Sequence, residues 1–334
     1  MIGFETEHQI IDIKTKIMKA NKISIIKLGF SFIFILTCFS WVMAQELETS
    51  VEKAPRKYVK NTFESVWLID NQTVMVPYKG TFEFDIAHRF GKVNNGFEDL
   101  YGLFAPSNIR FGVSYAPIQN LNVGCGLTKE RMILDGSIKY AILKQTQDSW
   151  TFPVSITYYG NMSYDLKEDP DKSLYKYETD RLRFFNQLII ARKITDKLSI
   201  QVAPSVSHQN FVNGYYFQVN DSTKEIRNEM NHNHFAIAFS GRYKLTESIA
   251  VMANYDQPIT KHTINNPNPN LSFGFEFNTS GHSFQIFAGN YAFLNPQRNN
   301  IFNKNNPIDY KDANNNTVKG GTFLIGFNIT RLWN

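Results

Sequence analysis

Cysteine is almost missing from this chain: there are two in 334 residues, Cys38 and Cys125. Such a pair supports neither a disulfide framework nor a Cys-rich metal site, and so sparing a use of the residue suits an oxidising compartment. Long apolar runs are also scarce. After residue 45 no apolar stretch reaches the length of a membrane-crossing helix, so an integral membrane protein built from this chain has to be a closed barrel. A dense basic block is absent too. The formal net charge of +5 is spread along the chain, which argues against a nucleic-acid partner.

Aromatic residues are what the chain has in quantity, 28 Phe and 16 Tyr among them. Residues 81–91, TFEFDIAHRFG, place Phe82, Phe84, Ile86 and Phe90 on one parity and Glu83, Asp85 and Arg89 on the other. Alternate side chains of a strand point to opposite faces, so this is a strand with an apolar face and a charged face. In a soluble sandwich the Phe row would face a core; in a membrane barrel it would face lipid and the charges would line the inside.

The first 45 residues decide part of that choice. A Lys-rich start, an apolar centre and the ending Val42-Met43-Ala44 have the layout of a secretory signal. We expect a cleaved signal over residues 1–44, with Met18 competing with Met1 as the start. Thr37 precedes Cys38 where a lipidation signal wants a smaller residue, so lipidation is not expected.

Segments of period two bounded by turn residues number about twelve: 81–91, 108–116, 121–127, 132–143, 151–160, 182–191, 198–207, 235–245, 249–256, 271–278, 283–290 and 322–330. Their connections alternate. Short turns at 117–120, 195–197, 246–248 and 279–281 fall between long polar stretches such as 165–180, 211–233 and 295–320; the short link 128–131 breaks the rhythm. Short turns at one end and long loops at the other are the pattern of an outer-membrane barrel, and a Greek-key sandwich has no reason to show it. The expected fold is therefore all-β: an antiparallel transmembrane barrel of about twelve strands over residues 73–334, in the outer membrane. The chain ends in 329–334, ITRLWN, in or just past a strand with a near-terminal aromatic, as a substrate of the barrel assembly machinery would.

On this parity Glu83, Asp85, Arg89, Arg110, Asp135, Lys139, Arg183, Arg242 and Glu276 line the lumen. Charges of both signs there should pair, Arg89 with carboxylates of neighbouring strands. Gly124 and Gly126 leave an inner face with small residues, either as room for a solute or plug or as relief of crowding. Residues 45–72 are too short for a domain, and three placements fit them: a lumenal plug, a periplasmic edge strand or a mobile tail.

Three groups of residues carry a resemblance. They are HRFG at 88–91 with DLYGLFAPSNIRFGVSYAP at 99–117; DGSIKYAILKQ at 135–145; and QLIIARKITDKLSIQVAPSVSHQNFV at 187–212 with GRYKLT at 241–246. In this order they resemble a family of outer-membrane barrels of diderm bacteria whose biochemical role is uncharacterised. Where that family usually has Leu-Lys-Tyr, this chain has Ile138-Lys139-Tyr140. The resemblance implies an outer-membrane barrel and brings no substrate or catalytic residue.

Chemistry-bearing motifs are weak. His232 and His234 could hold a metal from one strand face, but they sit in Asn-rich sequence and read as a solvated loop end. SVSHQN at 205–210 and SGHS at 280–283 lack the His-x-Ser-Asn run of outer-membrane phospholipases, so a lipid hydrolase is disfavoured and no enzyme activity is expected. His88, outward at a strand end, reads as a headgroup-level residue. The Asn-rich run over 299–316 reads as a flexible surface loop. No cofactor or metal is expected. The leading function is passage or binding of small polar solutes through the charged lumen, which requires that the lumen not be fully packed. The competing one is a non-conducting barrel that anchors or contacts an envelope complex through loop aromatics such as Tyr215, Tyr216, Phe217 and Phe302.

Overall fold

The computed structural model describes residues 56–148, 151–171, 174–311 and 315–333. The signal read over 1–44, the two candidate start residues, Cys38, residues 45–55 and Asn314 lie outside them. Lys57–Asn334 form one compact unit.

Twelve strands close into an antiparallel barrel. They are β1 (Phe82–Lys92), β2 (Asn108–Ile118), β3 (Leu121–Thr128), β4 (Ile133–Leu143), β5 (Ser155–Asp165) and β6 (Leu182–Lys193). The second half comprises β7 (Leu198–Gln209), β8 (Asn233–Lys244), β9 (Ile249–Pro258), β10 (Asn270–Asn278), β11 (His282–Gly289) and β12 (Leu324–Trp333). Each strand pairs with its neighbour in sequence, and β12 returns to β1 with Trp333 opposite Phe82 and Phe327 opposite His88. Closure leaves no strand edge, so every ladder group finds its partner without water. Both ends of the barrel chain thereby sit at the short-turn end.

The side-chain parity behaves as a two-sided wall. Phe111, Phe239, Phe273, Phe275 and Ile286 are exposed on the outside, Phe273 to 50%. An apolar belt running round the whole molecule is far larger than a soluble monomer tolerates, and it matches a lipid-facing surface. His88 belongs to this face, where its ring lies 5.0 Å from that of Phe327 and 4.4 Å from that of Phe90.

Strand five departs from the sequence reading. The expected span was 151–160, whereas the ladder starts at Ser155 and runs to Asp165. Pro153 has no N–H to donate to a ladder. Beyond residue 160 the inward positions are polar, with Ser163 and Asp165 buried, so the alternation continues where a hydrophobicity count sees a loop.

Two further pieces fold into the barrel interior. One is a small hairpin, Trp67–Leu68 paired with Asn71–Gln72. The other is helix α1 (Pro296–Phe302), in the long connection between β11 and β12. Proline at its first turn costs no hydrogen bond and presets the helical φ. A third piece, the hairpin of Gly214–Asn220 and Thr223–Asn228, pairs with itself alone and leaves Tyr216 and Ile226 exposed.

Candidate functional site

All nine charged side chains assigned to the inner face are buried, with residual exposure from 1% for Arg89 to 7% for Asp85 and Arg183. A water-filled pore would keep such a lining wet. The space between them is occupied instead by the protein's own chain.

Arg110 is the centre of the largest cluster. Its Nε and Nη2 donate to the two carboxylate oxygens of Asp135 at 2.9 and 2.8 Å, and Nη1 donates to Asp85 at 2.8 Å. The bidentate fork is the geometry in which arginine binds a carboxylate best. Glycines make the room: a Cβ on Gly126 would lie 2.2 Å from Arg110 Nη2, and one on Gly112 would lie 1.9 Å from Asp85 Oδ2. Of the two readings of Gly126, the space is filled by a guanidinium of the wall. Elsewhere Arg242 Nε donates to Glu276 at 2.6 Å, and Arg183 Nη2 donates to the Tyr175 hydroxyl at 3.0 Å.

Arg89 corrects an expectation. Its carboxylate is not on a neighbouring strand: it pairs with Asp70 of the inner hairpin, while Nη1 donates to Asn328 Oδ1 at 3.1 Å and the guanidinium stacks 4.5 Å from the centre of the Phe287 ring. The wall also reads the hairpin's main chain. Lys139 Nζ donates to the Val66 carbonyl at 3.3 Å and to Gln72 Oε1 at 2.9 Å. Gln285, Asn328, Gln201 and Thr157 donate to the carbonyls of Trp67, Ile69, Gln72 and Val74, and the Ile69 N–H donates to Gln285 Oε1 at 3.0 Å. Asn71 reaches Asn254 and Asp256 at 2.8 Å each. Apolar packing adds to this: Phe63, Leu68, Ile69 and Val74 cluster with Tyr159, Phe185, Ile189 and Phe287 of the wall. Of the three placements open to the N-terminal segment, Phe63–Val74 take the lumenal one, while Tyr58 forms a single bridge with Thr146 at the short-turn end. Among the described residues the hairpin's only backbone ladder is internal.

At the long-loop end α1 packs against the inner wall. Gln297 donates to Asn161 Oδ1 at 3.1 Å and Ser163 Oγ at 3.3 Å, and Arg298 pairs with Glu130 at 2.8 Å. Asn299, Asn300 and Asn303 are buried, and Asn303 and Asn270 bond to each other and to the loop around them. The flexible surface loop read from the asparagines is thus, over 295–305, a packed polar segment. Asparagine serves there because one side chain both donates and accepts, so a buried coil can satisfy its own backbone. Between the hairpin and the wall, a cavity lined by Trp67, Glu83, Arg110, Lys139 and Tyr159 leaves about 20 Å³ to the centres of water molecules, enough for one or two. Glu83 Oε2, which has no protein partner among the described residues, faces that space.

The serine and histidine motifs do not assemble. Both ring nitrogens of His208 bond asparagine oxygens, Asn233 at 2.7 Å and Asn210 at 3.0 Å, and Ser205 Oγ donates to the Ala236 carbonyl. A nucleophile needs its base within such reach.

The hairpin was the feature hardest to see from sequence, yet a signal was present. Phe185, Ile189, Met252 and Phe287 stand on the inner parity of their strands and are buried. Large apolar groups on the inside of a barrel need an apolar occupant, and residues 66–69, VWLI, supply one.

The family model described as membrane bound beta barrel domain (DUF5777) matches residues 63–333. The chain belongs to that family. Its matched region begins within the lumenal segment and ends on β12, so the inner hairpin is part of the family domain. Among solved structures, the chain is similar to the NanC porin at 9% identity and a TM-score of 0.40, covering 75% of this chain and 98% of that one. It is similar to an outer membrane channel of Pseudomonas putida F1 at 8% identity and a TM-score of 0.41, covering 78% and 97%, and to the Pseudomonas putida toluene transporter TodX at 8% and 0.34, covering 83% and 93%. No functionally curated protein matches the chain.

Proposed function

We propose that this outer-membrane barrel is a small-solute channel that rests closed, with Phe63–Val74 as its plug. One observation carries the reading: the charged inner wall is fully covered, and the segment that covers much of it is laddered to no barrel strand. The barrel's own hydrogen-bond circuit is complete without the hairpin, so the hairpin can leave without opening the wall. Its neutral polar bonds to the wall can be exchanged for bonds to water at small net cost; its apolar cluster with the wall and the Arg89–Asp70 pair are what set the closed state. The lumen uncovered would present both signs of charge, suited to small polar solutes. Lipid contacts the outer belt, and the C-terminal strand with Trp333 is the segment offered to the assembly machinery.

The test is single-channel recording in planar bilayers with the mature chain and with a chain lacking residues 45–76. The full chain should be quiet and the truncated chain should show stable unitary steps. A truncated protein shown to be folded and equally quiet would overturn the channel reading. It would favour the non-conducting barrel, for which the exposed Tyr216 and Ile226 of the outer hairpin are the supporting observation.

A further inference from the structure

At the long-loop mouth of the barrel, His234 and His262 meet with ring centroids 4.8 Å apart at 76°. His234 opens β8 on its inner face, and His262 comes from the connection between β9 and β10. Both are more than nine-tenths buried, with exposures of 3% and 7%. Each ring has one nitrogen committed: His234 Nε2 bonds the Asn231 carbonyl at 2.7 Å, and His262 Nδ1 bonds the Asn265 carbonyl at 3.1 Å. A carbonyl oxygen only accepts, so each of those nitrogens carries the proton, and the other nitrogen of each ring is a bare lone pair. Those two atoms, His234 Nδ1 and His262 Nε2, are buried and have no hydrogen-bond partner among the described residues.

Two buried acceptors left open on touching rings are costly unless something fills them. An imidazole whose far nitrogen is tied to a carbonyl is oriented and fixed in its tautomer as metal-ligating histidines are. The carboxylate of Glu229, held by Asn265 Nδ2 at 3.1 Å, supplies nearby negative charge. Imidazole nitrogen is a ligand for zinc, copper and nickel rather than for magnesium or calcium. A zinc–nitrogen bond is about 2.0–2.1 Å, and with two protein nitrogens the remaining coordination positions fall to water or solute.

We propose that His234 and His262 form a binding site for a first-row transition cation, zinc or copper, at the mouth of the barrel. The cation ties the connection between β9 and β10 to the start of β8. The sequence motif pointed to His232 as the partner, but His232 Nδ1 is taken by the Gln209 carbonyl at 2.7 Å and its ring stacks on His208.

The untagged full-length mature protein, folded in detergent and stripped with chelator, is titrated with Zn²⁺ by calorimetry and with Cu²⁺ by electron paramagnetic resonance. One equivalent should bind with a two-nitrogen signature. His262→Ala and His234→Ala should each weaken binding at least tenfold and leave one nitrogen, whereas His208→Ala should bind as wild type. His262→Gln, checked for heat-modifiable migration on gels, guards against a variant that fails to fold. No binding by folded wild type would overturn the proposal and leave water as the occupant. Binding that survives the double histidine variant unchanged would do so as well, by placing the cation elsewhere.

Discussion

Two buried arginines of the inner wall are neutralised in different ways. Arg110 on β2 is held by Asp85 of β1 and Asp135 of β4, all parts of the barrel. Arg89 on β1 is held by Asp70, which belongs to the hairpin and is laddered to no strand of the wall. If the hairpin leaves, Arg110 keeps its partners and Arg89 loses its carboxylate to water. The first cluster therefore belongs to the stability of the barrel and the second to the closed state. A buried pair is weak evidence of net stability, but removal of one partner is always costly because the other charge is left behind.

The largest effect on the folded barrel should come from Arg110→Gln. One cation serves two carboxylates, so its loss leaves Asp85 and Asp135 facing each other without a counter-charge. The expected cost is about 3–5 kcal/mol of unfolding free energy, measured by urea titration of Trp fluorescence in lipid or detergent. Conductance in the surviving folded fraction should stay closed. Asp70→Asn comes next and should invert that outcome. It strands Arg89, but the molecule can relieve the charge by releasing the hairpin, so the barrel should keep most of its stability while bilayer recordings of the full chain show openings. A quiet, strongly destabilised D70N would mean that the hairpin is a fixed part of the fold and not a gate.

The same contrast explains what could be read without a structure. The barrel was legible because its determinants are local. Period two, the turn residues and the alternation of loop lengths act within one or two strands, and the inward parity of Arg110 and Arg242 follows from them. The partner of Arg89 was not legible, because Asp70 lies on no strand of the wall, and period-two parity places only strand residues. Strand β5 was displaced in the reading because its inner face is polar at Ser163 and Asp165. The asparagines of 299–305 carry loop composition, and nothing in composition distinguishes a solvated loop from one folded back into a lumen. The histidine pair at the mouth is likewise a tertiary event: His234 meets His262 across a strand pair and its turn.

Gly126→Ala sharpens the first half of the comparison with a smaller effect. The added methyl would sit against a guanidinium fixed by three hydrogen bonds, which cannot swing away without giving up Asp135. Overpacking of this kind costs about 1–3 kcal/mol, seen as a lower urea midpoint at unchanged conductance. The same change at Gly136, where an added Cβ meets nothing within 4 Å, is the control and should be neutral.

Asp85→Asn should have the smallest effect. Arg110 spends one nitrogen on Asp85 and two on Asp135, and the amide oxygen of the variant still accepts from Nη1. Removing the charge of Asp85 also removes its repulsion from Asp135, which offsets part of the lost attraction. The net change should stay within about 1 kcal/mol, the scale of a single hydrogen bond exchanged for a weaker one. A cost as large as that of R110Q would show that Asp85, and not the bidentate Asp135, is the partner that holds Arg110. The barrel cluster would then depend on the pairing of β1 with β2, the same strand that carries Arg89.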